Sequence, residues 1–236
     1  MKERFLDKIR RVFNNLMWKF KESSFVSHIS FLWHWKNFFF LLKYPFYRVY
    51  HRWNGKFCGY SYSEYDSIPY GWRVAFGKQL SKDIKEAGKA SRKRIGKHLS
   101  WKKMIRWQQI KEKYGGLRLY ASSTKEIQEV LDKYEIMSEG YCICCGKPAR
   151  YVTSGWIEYY CEDCLRNEIK AYDVHRENPI SEEEIQERLK QCKLSKSDIP
   201  HGVTYTTSKN GKLIKHKIDY KKKYGIDFEE LWGLKK

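Results

Sequence analysis

The sequence predicts an α+β fold, and three observations carry that prediction. Apolar residues recur at helical spacing in several separated segments. From Ile110 to Tyr120 a Gly-Gly pair splits a run of alternating side chains, the pattern of a β-hairpin. From Tyr141 to Arg166 two Cys-x2-Cys pairs frame a short, strand-rich segment. The expected layout is a basic, aromatic helical region over 1–57, an α+β hairpin–helix unit over 58–140, a cysteine-framed unit over 141–172, and a mixed helix–hairpin extension over 173–236.

Residues 1–20 place Phe5, Leu6, Ile9, Val12, Phe13, Leu16, Met17 and Phe20 on one stripe. Lys2, Arg4, Lys8, Arg11 and Lys19 fall largely off it, so a basic amphipathic helix is expected. Such a helix packs into a core or lies on an anionic membrane surface. Residues 25–50 are densely aromatic, but the longest uninterrupted apolar run is Phe38 to Leu42. A spanning helix needs about 20 apolar residues, so no transmembrane segment is expected. Pro45 ends any helix near Tyr44, and Asn54-Gly55 reads as a turn. His34 and His51 have no Cys or His partner at ligand spacing. A helix over roughly 72–88 buries Val74, Phe76, Leu80 and Ile84, with Gly77 as its weak point.

The chain has 236 residues and a net charge of +19. That charge is uneven: residues 1–120 hold 27 Lys and Arg against 8 Asp and Glu, while residues 121–236 hold 20 against 20. The basic half is expected to meet something anionic: nucleic acid, an acidic protein or a membrane surface. Residues 89–106 concentrate it, with Lys89, Arg92, Lys93, Arg94, Lys97, Lys102, Lys103 and Arg106 and no acidic residue. Such a run is either a solvated loop or a footprint for phosphates.

In the hairpin, a Gly115-Gly116 turn pairs Tyr114 with Leu117, Lys113 with Arg118, and Lys111 with Tyr120. One face then collects Ile110, Tyr114, Leu117, Leu119 and Ala121, together with Glu112; the other collects Lys111, Lys113, Arg118 and Tyr120. Lys113 opposite Arg118 is a local conflict that a bound phosphate or carboxylate relieves. The candidate anion- or nucleic-acid-binding residues are therefore Arg92, Lys93, Arg94, Lys97, Lys102, Lys103, Lys111, Lys113, Arg118 and Tyr120. Trp101, Trp107 or Tyr120 are candidates for stacking on bases.

Ser123-Thr124 caps a helix over Lys125 to Met137, with Ile127, Val130, Leu131 and Tyr134 inward. It leads into Cys142-x2-Cys145-Gly146 and, fifteen residues later, Cys161-x2-Cys164. Four thiolates at that spacing suit one tetrahedral zinc ion. A Gly after the second Cys supplies the positive φ such a turn needs. Four sulfurs leave no position for water, so the ion is expected to be structural. Ala149 to Thr153 and Trp156 to Tyr160 read as strands joined through Ser154-Gly155, giving a treble-strand zinc ribbon. Cys144 is an alternative to Cys142, which is preferred because it keeps the x2 spacing.

Beyond Cys164 a helix continues to about Tyr172 and Pro179 marks a linker. Ser181 and Glu184 form a capping box for another helix. Val203 to Thr207 and Leu213 to Ile218 flank Lys209-Asn210-Gly211 as a second hairpin, and the last turn of structure lies near Phe228 to Trp232. The seven cysteines leave Cys58, Cys144 and Cys192 outside the metal pattern. With no signal peptide apparent, a reducing, cytoplasmic compartment is expected.

Taken together, Pro69-Tyr70-Gly71-Trp72, Lys111 to Arg118, Cys142 to Gly146, Gly155-Trp156 and Cys161 to Cys164 resemble a group of phage and prophage proteins. These share a Lys-Glu-Lys-aromatic-Gly-Gly-Leu-Arg motif followed by a zinc ribbon. The likeness spans roughly residues 45–166. It implies a viral or prophage setting in a bacterial host, and a zinc ribbon, without implying a reaction; a host protein is then a second candidate partner.

The catalytic templates are absent: no P-loop, no G-x-G-x-x-G, no H-E-x-x-H, no G-x-S-x-G and no zinc-deaminase signature. Asp173-Val174-His175 lacks a second ligand at useful spacing. Glu64 and Asp66 remain carboxylates that a site assembled in three dimensions would draw on.

Overall fold

The computed structural model describes residues 34–172, 179–207 and 213–235. The amphipathic helix over 1–20, Asp173-Val174-His175 and the Lys209-Asn210-Gly211 turn lie outside the described residues. The chain divides into two units, 1–67 and 68–236. Both helices and small antiparallel sheets are present, so the fold is α+β. No helix among the described residues is long and apolar enough to cross a membrane.

In the first unit α1 (Trp35–Lys43) ends at Tyr44, directly before Pro45, which opens a 3-10 turn, Pro45–Tyr47. Aromatic rings do the packing: Phe40 lies 4.8 Å from Tyr65 and stacks on Tyr47 at 5.8 Å, while Phe46 and Tyr47 are 4.7 Å apart. Asn54-Gly55 makes the expected turn, with Gly55 at φ 66° and the Asn54 side chain accepting from the Lys56 amide; a bridge between Tyr50 and Phe57 closes it. Asp66 caps its own 3-10 turn by accepting from the backbone and hydroxyl of Ser63.

The second unit opens with a helical turn, Tyr70–Trp72, and a π turn, Arg73–Gly77, that run into α2 (Lys78–Ile95). The helix thus extends past the expected 88 and carries Arg92, Lys93 and Arg94 in its last turn, where cations complement the helix dipole. Phe76, Leu80 and Ile84 are buried, but Val74 is 55% exposed. The π turn adds a residue to one helical turn and rotates Val74 off the inward stripe.

A short helix α3 (Trp101–Met104) feeds β1 (Ile105–Lys113), which pairs antiparallel with β2 (Gly116–Ser123). The turn is Tyr114-Gly115, not Gly115-Gly116: Lys113 pairs with Gly116, Glu112 with Leu117, Lys111 with Arg118 and Ile110 with Leu119. Moving a turn by one residue shifts every pair by two, so the faces survive. Ile110, Leu117 and Leu119 are buried as expected. By the same two-residue shift Tyr120 faces Gln109 and not Lys111, and the register breaks only beyond that pair, at Gln108 between Trp107 and Gln109.

α4 (Lys125–Ser138) lies along the free edge of β2. Its Ser138 hydroxyl accepts from the Leu117 amide at 2.8 Å and its Glu135 carboxylate from the Leu119 amide at 2.5 Å. Two edge N–H groups are thereby satisfied without a third strand. Ile127, Leu131 and Tyr134 are buried, and the Tyr134 hydroxyl donates to Asp83 on α2 at 2.7 Å. Thr124 occupies the N-cap position without a capping bond of its own, because its hydroxyl meets that of Ser91 at 2.6 Å.

The cysteine segment holds a two-stranded ladder, β3 (Tyr151–Val152) with β4 (Tyr159–Tyr160), shorter than the expected strands and without a third. α5 (Glu162–Tyr172) follows, then α6 (Glu182–Cys192), whose Ser181 cap accepts from the Glu184 amide. Leu165, Ile169, Ile185 and Leu189 pack with Tyr160, Cys142 and Cys161. Arg166 clamps α5 to α6 through Glu182 at 2.5 Å. The hairpin β5 (Gly202–Thr207) with β6 (Leu213–Ile218) forms in the expected place. The short helices α7 (Tyr220–Tyr224) and α8 (Phe228–Leu231) return Ile226, Phe228 and Trp232 to a second cluster with Ala149, Tyr159 and Leu194.

Candidate metal centre and basic surface

Two backbone devices bring the cysteines together. In the first turn the Cys142 amide donates to the Lys147 carbonyl at 2.8 Å and the Gly146 amide to the Cys142 carbonyl at 2.9 Å, with Gly146 at φ 79°. In the second, Cys161 precedes α5 and Cys164 lies in its first turn, where the positive end of the helix faces the sulfurs. The Ile143 amide donates to the Tyr159 carbonyl at 3.0 Å and ties one turn to the strand before the other. Lys147 pairs with Asp163 at 2.8 Å across the outside.

The sulfurs of Cys142, Cys145, Cys161 and Cys164 all lie within 4.8 Å of one another, and Cys145 and Cys161 approach to 3.5 Å. Four thiolates about 2.3 Å from one tetrahedral ion stand about 3.8 Å apart, so this group fits a metal ion. Burial alone raises the Cys142 thiol, but backbone N–H groups of Cys161, Cys145 and Cys144 donate to its sulfur and bring it below the ordinary value. Cys144 is exposed and outside the group; burial of its sulfur and the nearby Cys142 push its thiol up to about 11. Cys142 therefore sits with the other three sulfurs, and Cys144 does not.

This cysteine unit is where the distant motifs meet. Gly71 donates its amide to the Ile143 carbonyl at 2.9 Å, and the Trp72 indole donates to the Tyr141 carbonyl at 3.3 Å. The tip of the β1–β2 hairpin rests on the β3–β4 turn: a Cβ on Gly115 would lie 3.0 Å from Ile157 and Tyr159. The Lys111–Arg118 motif thus works as a structural joint. Glu112 accepts from the Gly115 amide at 2.7 Å, which explains a carboxylate on the apolar face. Arg118 donates to the Leu117 carbonyl at 2.9 Å, and its charge acts on Glu135 of the neighbouring helix and on Glu139, which caps that helix.

Burial pushes the Glu139 carboxyl up to about 7, with Arg118 offsetting only part of that effect. A carboxyl raised in the folded state above its ordinary 4.5 holds its proton there while the unfolded chain has released it. Stability should therefore fall as pH rises between about 4.5 and 7. Glu139→Gln should remove that slope and leave the variant on the order of 1 kcal/mol more stable than the parent above pH 7. Urea denaturation at the two ends of the window checks it.

The remaining basic residues separate into committed and uncommitted groups. Arg92 donates to the Leu99 carbonyl at 3.0 Å and lies over the Trp101 ring at 4.8 Å, so both are held within the unit. Arg94 pairs with Glu126 at the start of α4 and holds that carboxyl well below the usual range. Lys93, Lys97, Lys102 and Lys103 are exposed around the end of α2 and on α3. At the other end of the hairpin, Lys113 is exposed with its ammonium over Tyr114 at 5.1 Å, and half-buried Lys111 lies over Tyr120 at 5.6 Å. A strand rises about 3.3 Å per residue, so Ile105 and Lys113 stand roughly 25 Å apart. The expected anion-binding residues thus form two groups at opposite ends of one hairpin.

The chain matches no family model, no curated protein and no solved structure.

Proposed function

We propose that this protein binds nucleic acid through the exposed lysines at the end of α2 and on α3, on a scaffold stapled by one zinc ion in a ribbon of Cys142, Cys145, Cys161 and Cys164. One observation carries the first part. Lys93, Lys97 and Lys103 are exposed within eleven residues, and among the described residues no carboxylate pairs with them. The arginines between and beside them are neutralised or stacked, so the lysine charge is left facing solvent. Like charges so close repel, and a row of phosphates relieves them. The zinc reading rests on the four converging sulfurs with N–H donors on Cys142; a bound ion would tie the two Cys-x2-Cys turns together and supply no open position for chemistry. The motif resemblance adds a phage or prophage setting.

Binding of short labelled DNA and RNA across a salt series tests it. Log affinity should fall linearly with log salt, and a Lys93→Ala, Lys97→Ala, Lys103→Ala triple variant should reduce the slope by roughly two to three with folding unchanged. Absence of binding at low salt would overturn the reading and direct the basic surface to an acidic host protein or a membrane.

A further inference from the structure

We infer that Tyr114 and Trp156 form a stacking platform for the unpaired bases of a single-stranded nucleic acid; this rests on the nucleic-acid reading above. Two turns meet at the Gly115–Ile157 contact, and each carries a large aromatic pointing away from the core. Tyr114 is 70% exposed and Trp156 is 75% exposed, well beyond what packing requires of either. Tyr114 also has φ 54°, in the left-handed region that this turn type fills with Asn, Asp or Gly. Asparagine or glycine would hold this conformation at lower cost, so a tyrosine in this place points to contact outside the chain.

The chemistry on the Tyr114 side of the pair selects the partner. Lys113 lies against Tyr114 and Lys111 against Tyr120, so cation and ring alternate along this end of the hairpin. A nucleotide presents the matching pair, a phosphate and a planar base. The nearby carboxylates are turned to internal duties: Glu112 accepts from the Gly115 amide, and Glu158 from the Trp156 indole and the Tyr160 hydroxyl. Among the described residues Ile157 is the one exposed aliphatic side chain at this contact, and lysines border Tyr114 and Tyr120 where an apolar protein interface would place aliphatic side chains. Duplex DNA keeps its base faces stacked on each other, so a protruding ring pair favours single strands.

The test compares Tyr114→Asn, Trp156→Ala and the double variant with the parent on a labelled single-stranded oligonucleotide and on duplex. Asn suits the positive φ, so the turn is preserved. Each single variant should weaken single-strand binding roughly five- to a hundredfold while leaving the salt slope unchanged, because stacking releases no counterions. Tyr114→Phe should retain binding. Unchanged single-strand affinity in the double variant, with the Lys93/Lys97/Lys103 triple variant still impaired, overturns the platform and leaves nucleic-acid binding standing. A salt slope that falls together with affinity also overturns it. A parent that binds no nucleic acid overturns both readings.

Discussion

Cys142→Ser should cost the chain more than about 4 kcal/mol of stability, whereas Cys144→Ser should change it by less than about 0.5 kcal/mol. The two residues are neighbours but one, and their thiols are of one kind; position alone separates them. Cys142 is buried, accepts N–H groups from three residues and lies with Cys145, Cys161 and Cys164. A bound structural zinc contributes on the order of 10 kcal/mol of apparent folding free energy, which one missing thiolate largely forfeits. Cys144 is exposed and contributes no sulfur to the group. Denaturation midpoints in urea, with thiol titration of each variant, measure the contrast. Equal losses in the two variants would contradict the assignment.

Gly146→Ala is the second large effect, at about 3 kcal/mol. Two costs combine. The residue has φ 79°, where a Cβ is strained, and that Cβ would stand 2.4 Å from the Gly71 carbonyl oxygen and 3.0 Å from the Ala75 amide. Both neighbours are backbone and cannot rotate away. The contact is mutual, since a Cβ on Gly71 would meet the Cys142 and Ile143 carbonyls at 2.3 Å. Gly155→Ala is the control: its φ is 82° but nothing lies within 4 Å, so only the conformational cost of about 1 kcal/mol remains. If both alanines cost the same, the close packing of the opening helical turn on the cysteine turn is not what demands glycine at 146.

What was legible in the sequence follows from how local each signal is. The cysteine group was readable because metal ligands in a turn must fall at fixed short spacing. The hairpin faces were readable because alternation survives a two-residue shift in pairing. The turn itself was misplaced by one residue, since preference puts two glycines at its centre and the chain puts Tyr114 there instead. The orientation of Val74 was hidden by the π turn, which breaks the 3.6-residue period that the expectation relied on. Least readable were the non-local joints: Gly71 against Gly146, Gly115 against Ile157, and Arg118 beside Glu135 and Glu139. Residue type announces none of these, and together they explain why the segments Tyr70–Trp72, Lys111–Arg118 and Cys142–Cys164 occur in one chain. The basic run divided partly for the same reason, because the partner of Arg94 is Glu126, remote from it in sequence, whereas Arg92 turns to the nearby Leu99 carbonyl.

One ion held by the four sulfurs would fasten the cysteine unit against which the opening helical turn and the β1–β2 hairpin pack. Native mass spectrometry of the full chain, purified without added chelator, tests it most directly. The expected result is one zinc per chain, lost only on unfolding or strong chelation, with Cys142, Cys145, Cys161 and Cys164 unreactive until then. A folded chain that carries no metal and has all four of these thiols free to react would contradict it.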